Sequence, residues 1–305
     1  MRILFMDCDA ALKAAWDKVY RPGDDPPIDI NMTPFPREAV PDIVAGYQIC
    51  IDDHSYFPEP ILKRCTDLRH IVYLGTGAAS CIDLAAAERL GIGISIIKGY
   101  GDVAVAEHTV ALMMAAARDV ARQDRAIRAG IWDTREGAQL RGKVLGLMGL
   151  GGIGREVARI AAGIGMEVIA WSRTPRPETG VPMVGLDELL RRSDFLSLHL
   201  ILGEETRGIL GYDQLGRTKP GVILVNTARG ALVDEVALIA HLRSGHIRHA
   251  ALDVFADEPL KADHPLAALE NVTLTAHSGF STPDSLMILL RRAIDLAKAA
   301  AEKGR

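Results

Sequence analysis

The chain carries a glycine motif whose spacing could bind the pyrophosphate of a dinucleotide. Gly149, Gly151 and Gly154 follow an apolar run and open a helical pattern. Glycine allows a tight turn at the first position, close approach of pyrophosphate at the second and helix-to-strand contact at the third. The helix that would begin at Gly152 and Ile153 offers free backbone N–H groups to the phosphates. We therefore predict a dinucleotide-binding site at these five residues.

The segment after the next apolar run bears on which dinucleotide binds. Where an acidic residue would grip the adenosine ribose hydroxyls of NAD, this chain has Ser172, Arg173 and Thr174. Without a carboxylate, repulsion of a ribose phosphate is removed, and guanidinium and hydroxyl groups are good donors to that phosphate. We predict that NADP is preferred, with NAD as the second choice. The alternative is that Arg173 stacks on the adenine or is solvated.

Three polar residues, Arg229, Glu258 and His277, stand after late apolar runs of the chain. Ligands of doubly wound sheets bind beyond the carboxyl ends of the strands, so these side chains can converge despite their separation in sequence. A guanidinium binds anions, and an imidazole exchanges protons near neutral pH. Taken singly, each has an ordinary explanation: a surface ion pair, a turn before proline, and a capping or core histidine.

Strand-like apolar runs alternate with helical patterns along the whole chain, which predicts an α/β fold with mainly parallel sheets. The first group of predicted strands is 3–6, 28–31, 48–51, 71–74 and 94–97. The second group is 144–148, 168–171, 195–198, 222–225, 250–252 and 272–275. An apolar helix with Asp102 as its N-cap is predicted between the two groups, and a last helix begins at Thr282-Pro283. We expect two doubly wound domains.

Composition excludes several classes of function. The 305 residues carry a formal charge of -4, and no basic cluster is dense enough to follow a run of phosphates, so we expect no nucleic-acid partner. The apolar run 103–117 contains Glu107 and His108 and is too short to cross a bilayer, so we expect no membrane partner. The four cysteines lack metal-ligand spacing, which predicts free thiols, no metal site and a cytoplasmic protein.

Taken together, these motifs resemble those of the D-isomer-specific 2-hydroxyacid dehydrogenases, and the likeness covers nearly the whole chain. The segments that carry it are 106–108, 149–154, 205–208, 225–230, 251–255, 257–259, 263–265 and 271–277. The resemblance implies two Rossmann-like α/β domains. A flavodoxin-like substrate domain would comprise residues 1–98 and 280–305, and an inserted NAD(P)-binding domain would comprise residues 99–279.

The resemblance also implies catalytic roles. His277 would protonate the carbonyl oxygen of a 2-oxo acid, and would act as the base in the reverse direction. Glu258 would bind the other ring nitrogen and favour the imidazolium. Arg229 would hold the α-carboxylate and polarise the reacting oxygen.

Further residues are assigned by the same resemblance. The turn that contains Gly75, Thr76 and Gly77 would meet the substrate carboxylate, together with Arg229 and His277. Asp253 would bind the nicotinamide carboxamide, although a cap at the end of a strand is the alternative explanation. The cofactor cleft would also be lined by three residues from neighbouring strand ends: His199, Thr227 and Ala228.

The sequence departs from the family pattern in ways that affect substrate choice more than chemistry. Ala276 replaces a common proline, Ile201 and Leu202 stand where a Pro-Leu pair is frequent, and the substrate turn continues as Ala78-Ala79-Ser80 without an acidic residue. We expect a homodimeric reductase of small 2-oxo acids, with D-2-hydroxy acids as products. The alternatives are a dinucleotide-sensing corepressor-like protein and a formate- or phosphite-type dehydrogenase.

Overall fold

The protein is described by a computed structural model, which covers residues 1–174 and 180–303. Its strands, in chain order, are β1 Ile3–Phe5, β2 Ile28–Ile30, β3 Ile49–Asp52, β4 His70–Tyr73, β5 Gly93–Ile96, β6 Val144–Met148, β7 Glu167–Trp171, β8 Phe195–Leu198, β9 Val222–Asn226, β10 Ile247–Leu252 and β11 Val272–Leu274. Its helices are α1 Ala10–Val19, α2 Val40–Ile43, α3 Glu59–Leu62, α4 Leu84–Arg89, α5 Asp102–Ala117, α6 Val120–Arg128, α7 Gly152–Gly163, α8 Leu186–Arg192, α9 Tyr212–Gly216, α10 Glu235–Arg243 and α11 Pro283–Lys303.

The described strands form two parallel sheets, which confirms the predicted α/β class. The first sheet has the order β2-β1-β3-β4-β5, and the second has the order β11-β10-β9-β8-β6-β7. Every strand pairing in the described part of the chain is parallel. Parallel strands need crossover connections, and the helices between them provide these. In the second sheet, successive strands are added on one side of β6 up to β7 and on its other side from β8 onward. Doubly wound sheets bind ligands at such a change of direction, here between β6 and β8.

The chain divides into two compact units. Residues 101–280 form one, and residues 1–100 with the described residues from 281 onward form the other. The two ends of the chain form one unit because α11 packs on α1, β3 and β4. The apolar face of α11 that makes these contacts includes Leu286, Leu289 and Leu290. Arg291, on the same helix, makes two hydrogen bonds of 2.8 Å to the carboxylate of Asp25.

The unit 101–280 has an apolar layer on each face of the second sheet. On one face, α5 packs against α7, β9 and β10, and its buried residues include Ala106, Val110 and Met113. The prediction that Asp102 caps this helix is wrong in detail. Gly101 is the N-cap, and Asp102 is the first helical residue, where its charge still favours the positive end of the helix dipole.

The helices show no membrane-spanning element: among the described residues, none is both long and apolar enough to cross a bilayer. Cys8, Cys50 and Cys65 are buried as free thiols in the unit that contains residues 1–100. Burial raises the pKa of the Cys65 thiol to about 11, so this group is a packing residue rather than a nucleophile at neutral pH.

Candidate active site

The predicted chemical groups of the unit 101–280 follow the carboxyl ends of its strands. The glycine motif follows β6, Arg173 follows β7, and His199 follows β8. Arg229 comes after β9, Asp253 directly follows β10, and His277 comes after β11. Because the sheet is parallel, all these segments leave from the same edge.

The glycine motif forms a tight turn into the N-terminus of α7. Gly149 has φ +103°, and a Cβ there would lie 2.6 Å from the carbonyl oxygen of His199. A Cβ on Gly154 would lie 2.4 Å from the carbonyl oxygen of Gly149. A Cβ on Gly151, the N-cap of α7, would have no described atom within 4 Å apart from those of Gly151 and its two chain neighbours. The turn is thus sterically closed on its protein side and open where backbone N–H groups can meet pyrophosphate.

The end of β7 is already engaged in protein contacts. The Ser172 hydroxyl donates to the carbonyl oxygen of Thr174, and the Arg173 guanidinium forms an ion pair with Glu205, in the loop after β8. The Arg173 side chain is still 59% exposed in this pair, so it stays accessible to solvent or to a ligand. Arg176, a second arginine just beyond Thr174 that could also meet a ribose phosphate, lies outside the described residues.

His199 packs beneath the glycine turn. Its Nε2 lies 2.9 Å from the Ser197 hydroxyl, and its Cβ lies 3.7 Å from the Cβ position of Gly154. Burial lowers the pKa of His199 to about 4, so the ring is neutral at physiological pH. A neutral ring would add no charge beside a bound pyrophosphate.

Arg229 is held in a turn that Asn226 closes. The Asn226 side chain accepts from the backbone N–H of Ala228 at 3.0 Å and donates to the carbonyl oxygen of Arg229 at 2.9 Å. A Cβ on the next residue, Gly230, would lie 2.0 Å from the carbonyl carbon of Phe255. The backbone of the Arg229 turn therefore contacts the loop that carries Glu258, and only glycine permits this approach.

His277 and Glu258 form a hydrogen-bonded pair. His277 Nδ1 lies 2.7 Å from Glu258 Oε2, and the backbone N–H of Phe255 donates to Oε1 at 2.9 Å. Burial alone would raise the pKa of Glu258, but hydrogen bonds from His277 and Phe255 and the charge of Arg229 bring it below its ordinary value. Glu258 is thus an anion that fixes the orientation of the imidazole ring.

His277 itself has a backbone conformation that residues other than glycine rarely adopt. Its φ is +49°, and its N–H donates to the carbonyl oxygen of Asp253 at 2.8 Å. Left-handed backbone at a non-glycine residue persists where surrounding contacts hold it, and it often occurs at functional sites.

The Asp253 carboxylate holds the loop around His277. One oxygen accepts from the Ser278 N–H at 2.9 Å and from the Thr275 hydroxyl at 2.6 Å, and the other accepts from the Gly279 N–H at 2.9 Å. His108 Nε2 lies 3.3 Å from the first oxygen. The side chain is 2% exposed, so these contacts place Asp253 inside the loop rather than at its surface.

The sequence motifs gave no structural role to several residues that hold this arrangement. They are Asn226, His108, Thr275 and Thr109, whose hydroxyl lies 2.7 Å from that of Thr227. The only available signal was the position of Asn226 two residues before Ala228, which is typical of a side chain that accepts from a turn N–H. Contacts from α5 to distant loops leave no such local pattern.

Gly75, Thr76 and Gly77, the predicted substrate turn, follow β4 in the other unit. The Gly75 carbonyl accepts from the Ile97 N–H at 2.9 Å, which ties the turn to the end of β5. A Cβ on Gly75 would lie 3.1 Å from the ring of Tyr73. Like the residues predicted to be catalytic, this turn lies at the carboxyl edge of a parallel sheet.

A pocket of about 540 Å³ opens beside the His277–Glu258 pair. Its lining also includes the apolar side chains of Phe255, Leu260 and Leu274. Pockets of this size and mixed lining accept small organic ligands. Among the described residues, no group of three or more His, Cys, Asp and Glu side chains is arranged to hold a metal ion.

Comparisons with known proteins agree on one family. Residues 110–279 match the family model for the D-isomer specific 2-hydroxyacid dehydrogenase NAD binding domain. The chain is similar to a glyoxylate reductase of Aeropyrum pernix, with 40% identity over 79% of this chain and 76% of that protein. It is also 41% identical to a D-3-phosphoglycerate dehydrogenase of Mycobacterium leprae over 74% of this chain, but only 43% of that longer protein. A crystal structure of a glyoxylate reductase from Paecilomyes thermophila superposes with a TM-score of 0.87, 31% identity and coverage of 100% and 96% of the two chains.

Asp253 should make the protein less stable at acid pH. Burial alone would raise the pKa of Asp253, but hydrogen bonds from His108, Thr275, Ser278 and Gly279 together lower it to about 2, against an ordinary value of 3.8. Because the folded-state pKa is the lower one, the ionised carboxylate contributes about 2 kcal/mol to the free energy of unfolding, and this contribution is lost as pH falls from about 4 to 2.

Urea denaturation of the wild type and Asp253→Asn at several pH values tests this expectation. The wild type should be more stable at pH 7, and the difference in unfolding free energy should shrink between pH 4 and pH 3. A difference that does not change with pH would contradict the assigned hydrogen bonds.

Proposed function

We propose, from the premise that the chain belongs to the D-isomer-specific 2-hydroxyacid dehydrogenase family, that it reduces small 2-oxo acids to D-2-hydroxy acids. The family makes it an oxidoreductase with a nicotinamide dinucleotide cofactor. The observation that carries the proposal is the pair of His277 and Glu258, 2.7 Å apart beside a pocket of about 540 Å³.

The proton step follows from this pair. The bound reduced nicotinamide would supply a hydride to the carbonyl carbon, and the carbonyl oxygen would then need one proton. Since Nδ1 of His277 is engaged by Glu258, its Nε2 would deliver that proton and would recover it in the reverse reaction. Glu258 would stabilise the imidazolium before the transfer and keep the ring oriented throughout.

Arg229 would bind the α-carboxylate of the substrate and polarise its carbonyl oxygen. Its turn is fixed by Asn226 and by the close backbone contact at Gly230, and its Nη1 donates to the carbonyl oxygen of Ala228 at 2.7 Å, so the guanidinium would be oriented before substrate arrives. The small 2-oxo acids glyoxylate and hydroxypyruvate are the first substrates to test.

The cofactor would be held by the open turn at Gly151 and the N-terminus of α7. We propose NADP as the preferred form, because the end of β7 presents Arg173 and two hydroxyl side chains instead of a carboxylate. Asp253 would act chiefly as the anchor of the His277 loop. Oδ1 accepts from Thr275 and Ser278, whereas the one donor described for Oδ2 is the Gly279 N–H, so Oδ2 could also accept from the nicotinamide carboxamide.

A homodimer is the proposed assembly. The segment from α5 to the residues after α6 exposes Val103, Met114, Val120, Ile127 and Trp132, the last being 87% exposed. These exposed apolar side chains would be covered if a second copy of the chain packed on this segment.

The proposed reaction is tested by mixing the purified chain with NADPH or NADH and a panel of 2-oxo acids, and following the loss of reduced-nicotinamide absorbance. We expect turnover of at least one small 2-oxo acid, with a higher kcat/KM for NADPH than for NADH. Binding of cofactor without turnover across the panel would contradict the reductase, and a clear NADH preference would contradict the cofactor assignment.

His277→Asn should lower kcat by at least about a hundredfold while the cofactor dissociation constant stays within about twofold, because a general acid contributes about 10²- to 10⁴-fold. Asparagine tolerates the left-handed backbone at this position, so the variant should fold. His264 offers a matched control, since its Nε2 lies 2.9 Å from Glu235 in a second His–Glu pair. His264→Asn should retain turnover, and equal losses in both variants would refute the assignment.

The assembly is tested by light scattering coupled to gel filtration. The wild type should have twice the chain mass of 32.9 kDa. Trp132→Glu should shift the protein toward the single-chain mass, because it places a charge on the exposed apolar segment. A wild-type protein of single-chain mass at high concentration would contradict the homodimer.

A further inference from the structure

A second pocket, of about 360 Å³, lies at the ends of β7 and β8. It is lined by Arg173 and by the loop residues 201–206. In the second sheet β6 lies between β7 and β8, so the two sides of this pocket approach each other beside the glycine turn that leaves β6. A dinucleotide seated on that turn would direct its adenosine half toward the end of β7, as doubly wound sheets do.

The basic group at this pocket, the guanidinium of Arg173, is already paired with a carboxylate. The Arg173 guanidinium forms an ion pair with the Glu205 carboxylate, and both side chains are more than half exposed, at 59% and 75%. Ion pairs at such exposure contribute little to the stability of a protein. A ligand phosphate, with about two negative charges and three acceptor oxygens, can therefore compete with Glu205 for Arg173.

We infer that Glu205 determines cofactor selectivity, by competing with the 2′-phosphate of NADP for Arg173. The inference rests on the proposed dinucleotide function. A carboxylate on the strand end of β7 is missing, and Glu205 brings one to the same pocket from the neighbouring loop. It can accept a hydrogen bond from a free ribose 2′-hydroxyl, which favours NAD, whereas a 2′-phosphate meets a like charge and must displace Glu205 from Arg173.

Two opposing residues thus set the cofactor preference. Arg173 favours the phosphate, and Glu205 reduces that advantage by occupying the guanidinium. The NADP preference of this chain is consequently smaller than Arg173 alone would produce. Removing the charge of Glu205 should release the guanidinium without altering the glycine turn or the His277 site.

Glu205→Gln should lower the dissociation constant of NADPH by about fivefold, the effect of one like-charge contact in a hydrated site. The dissociation constant of NADH should stay equal or rise by up to about threefold. Both constants are measured by titrating the fluorescence of the reduced nicotinamide in the absence of substrate. Competition by 2′,5′-ADP and 5′-AMP isolates the same difference: only 2′,5′-ADP should bind the variant more tightly.

Glu204→Gln is the matched control. Glu204 carries the same charge and lines the same pocket, but no contact with Arg173 is described for it. The Glu204→Gln variant should change the logarithm of the ratio of the NADH and NADPH dissociation constants by less than half of the change that Glu205→Gln produces. Equal shifts in the two variants would mean that only net charge matters, which would overturn the inference.

The competition itself is tested with Arg173→Gln. In that background, Glu205→Gln should increase NADPH affinity by less than half as much, on a logarithmic scale, because no guanidinium is left to release and only the like charge facing the phosphate is removed. An undiminished gain in the double variant would overturn the competition, as would a ratio unchanged by Glu205→Gln alone. If neither NADPH nor NADH binds the wild type, the proposed dehydrogenase function fails instead, and that result is distinct from a failure of the Glu205 inference.

Discussion

The arrangement of the site depends on one buried carboxylate. Asp253, at the end of β10, accepts from the backbone N–H groups of Ser278 and Gly279 and from the Thr275 hydroxyl, and its carbonyl oxygen accepts from the N–H of His277. These bonds hold His277 at φ +49°. A backbone conformation of this kind is unfavourable by itself, so the loop needs an anchor whose hydrogen bonds are strong because they end on a charge.

The other groups are positioned by contacts of the same short-range kind. Asn226 closes the turn before Arg229, and Gly230 lets that turn meet the backbone at Phe255, whose N–H fixes one oxygen of Glu258. Glu258 in turn fixes the ring of His277. The proposed proton donor and its carboxylate partner are thereby supported by backbone from three neighbouring strand ends, and little reorganisation would be needed when a substrate binds.

The cofactor end of the site follows a different principle. The glycine turn is determined by steric exclusion, because carbonyl oxygens of Gly149 and His199 fill the space that side chains at 154 and 149 would need. The end of β7, the proposed ribose site, has instead an exposed ion pair, which a bound dinucleotide would rearrange. Binding of a dinucleotide would therefore be rigid at its pyrophosphate and adaptable at its adenosine ribose.

The sequence by itself determined the α/β class, the family and the approximate positions of all eleven described strands, because apolar runs, glycine spacing and family motifs are local patterns. It also singled out Arg229, Glu258 and His277 as one chemical set, whose catalytic roles stay predictions. Only the tertiary structure decided that Asp253 faces the His277 loop and that Arg173 is paired with Glu205. These contacts join residues 26 and 32 positions apart on separate strand ends, and no periodicity or spacing encodes which donor a given side chain will meet once the strands are aligned.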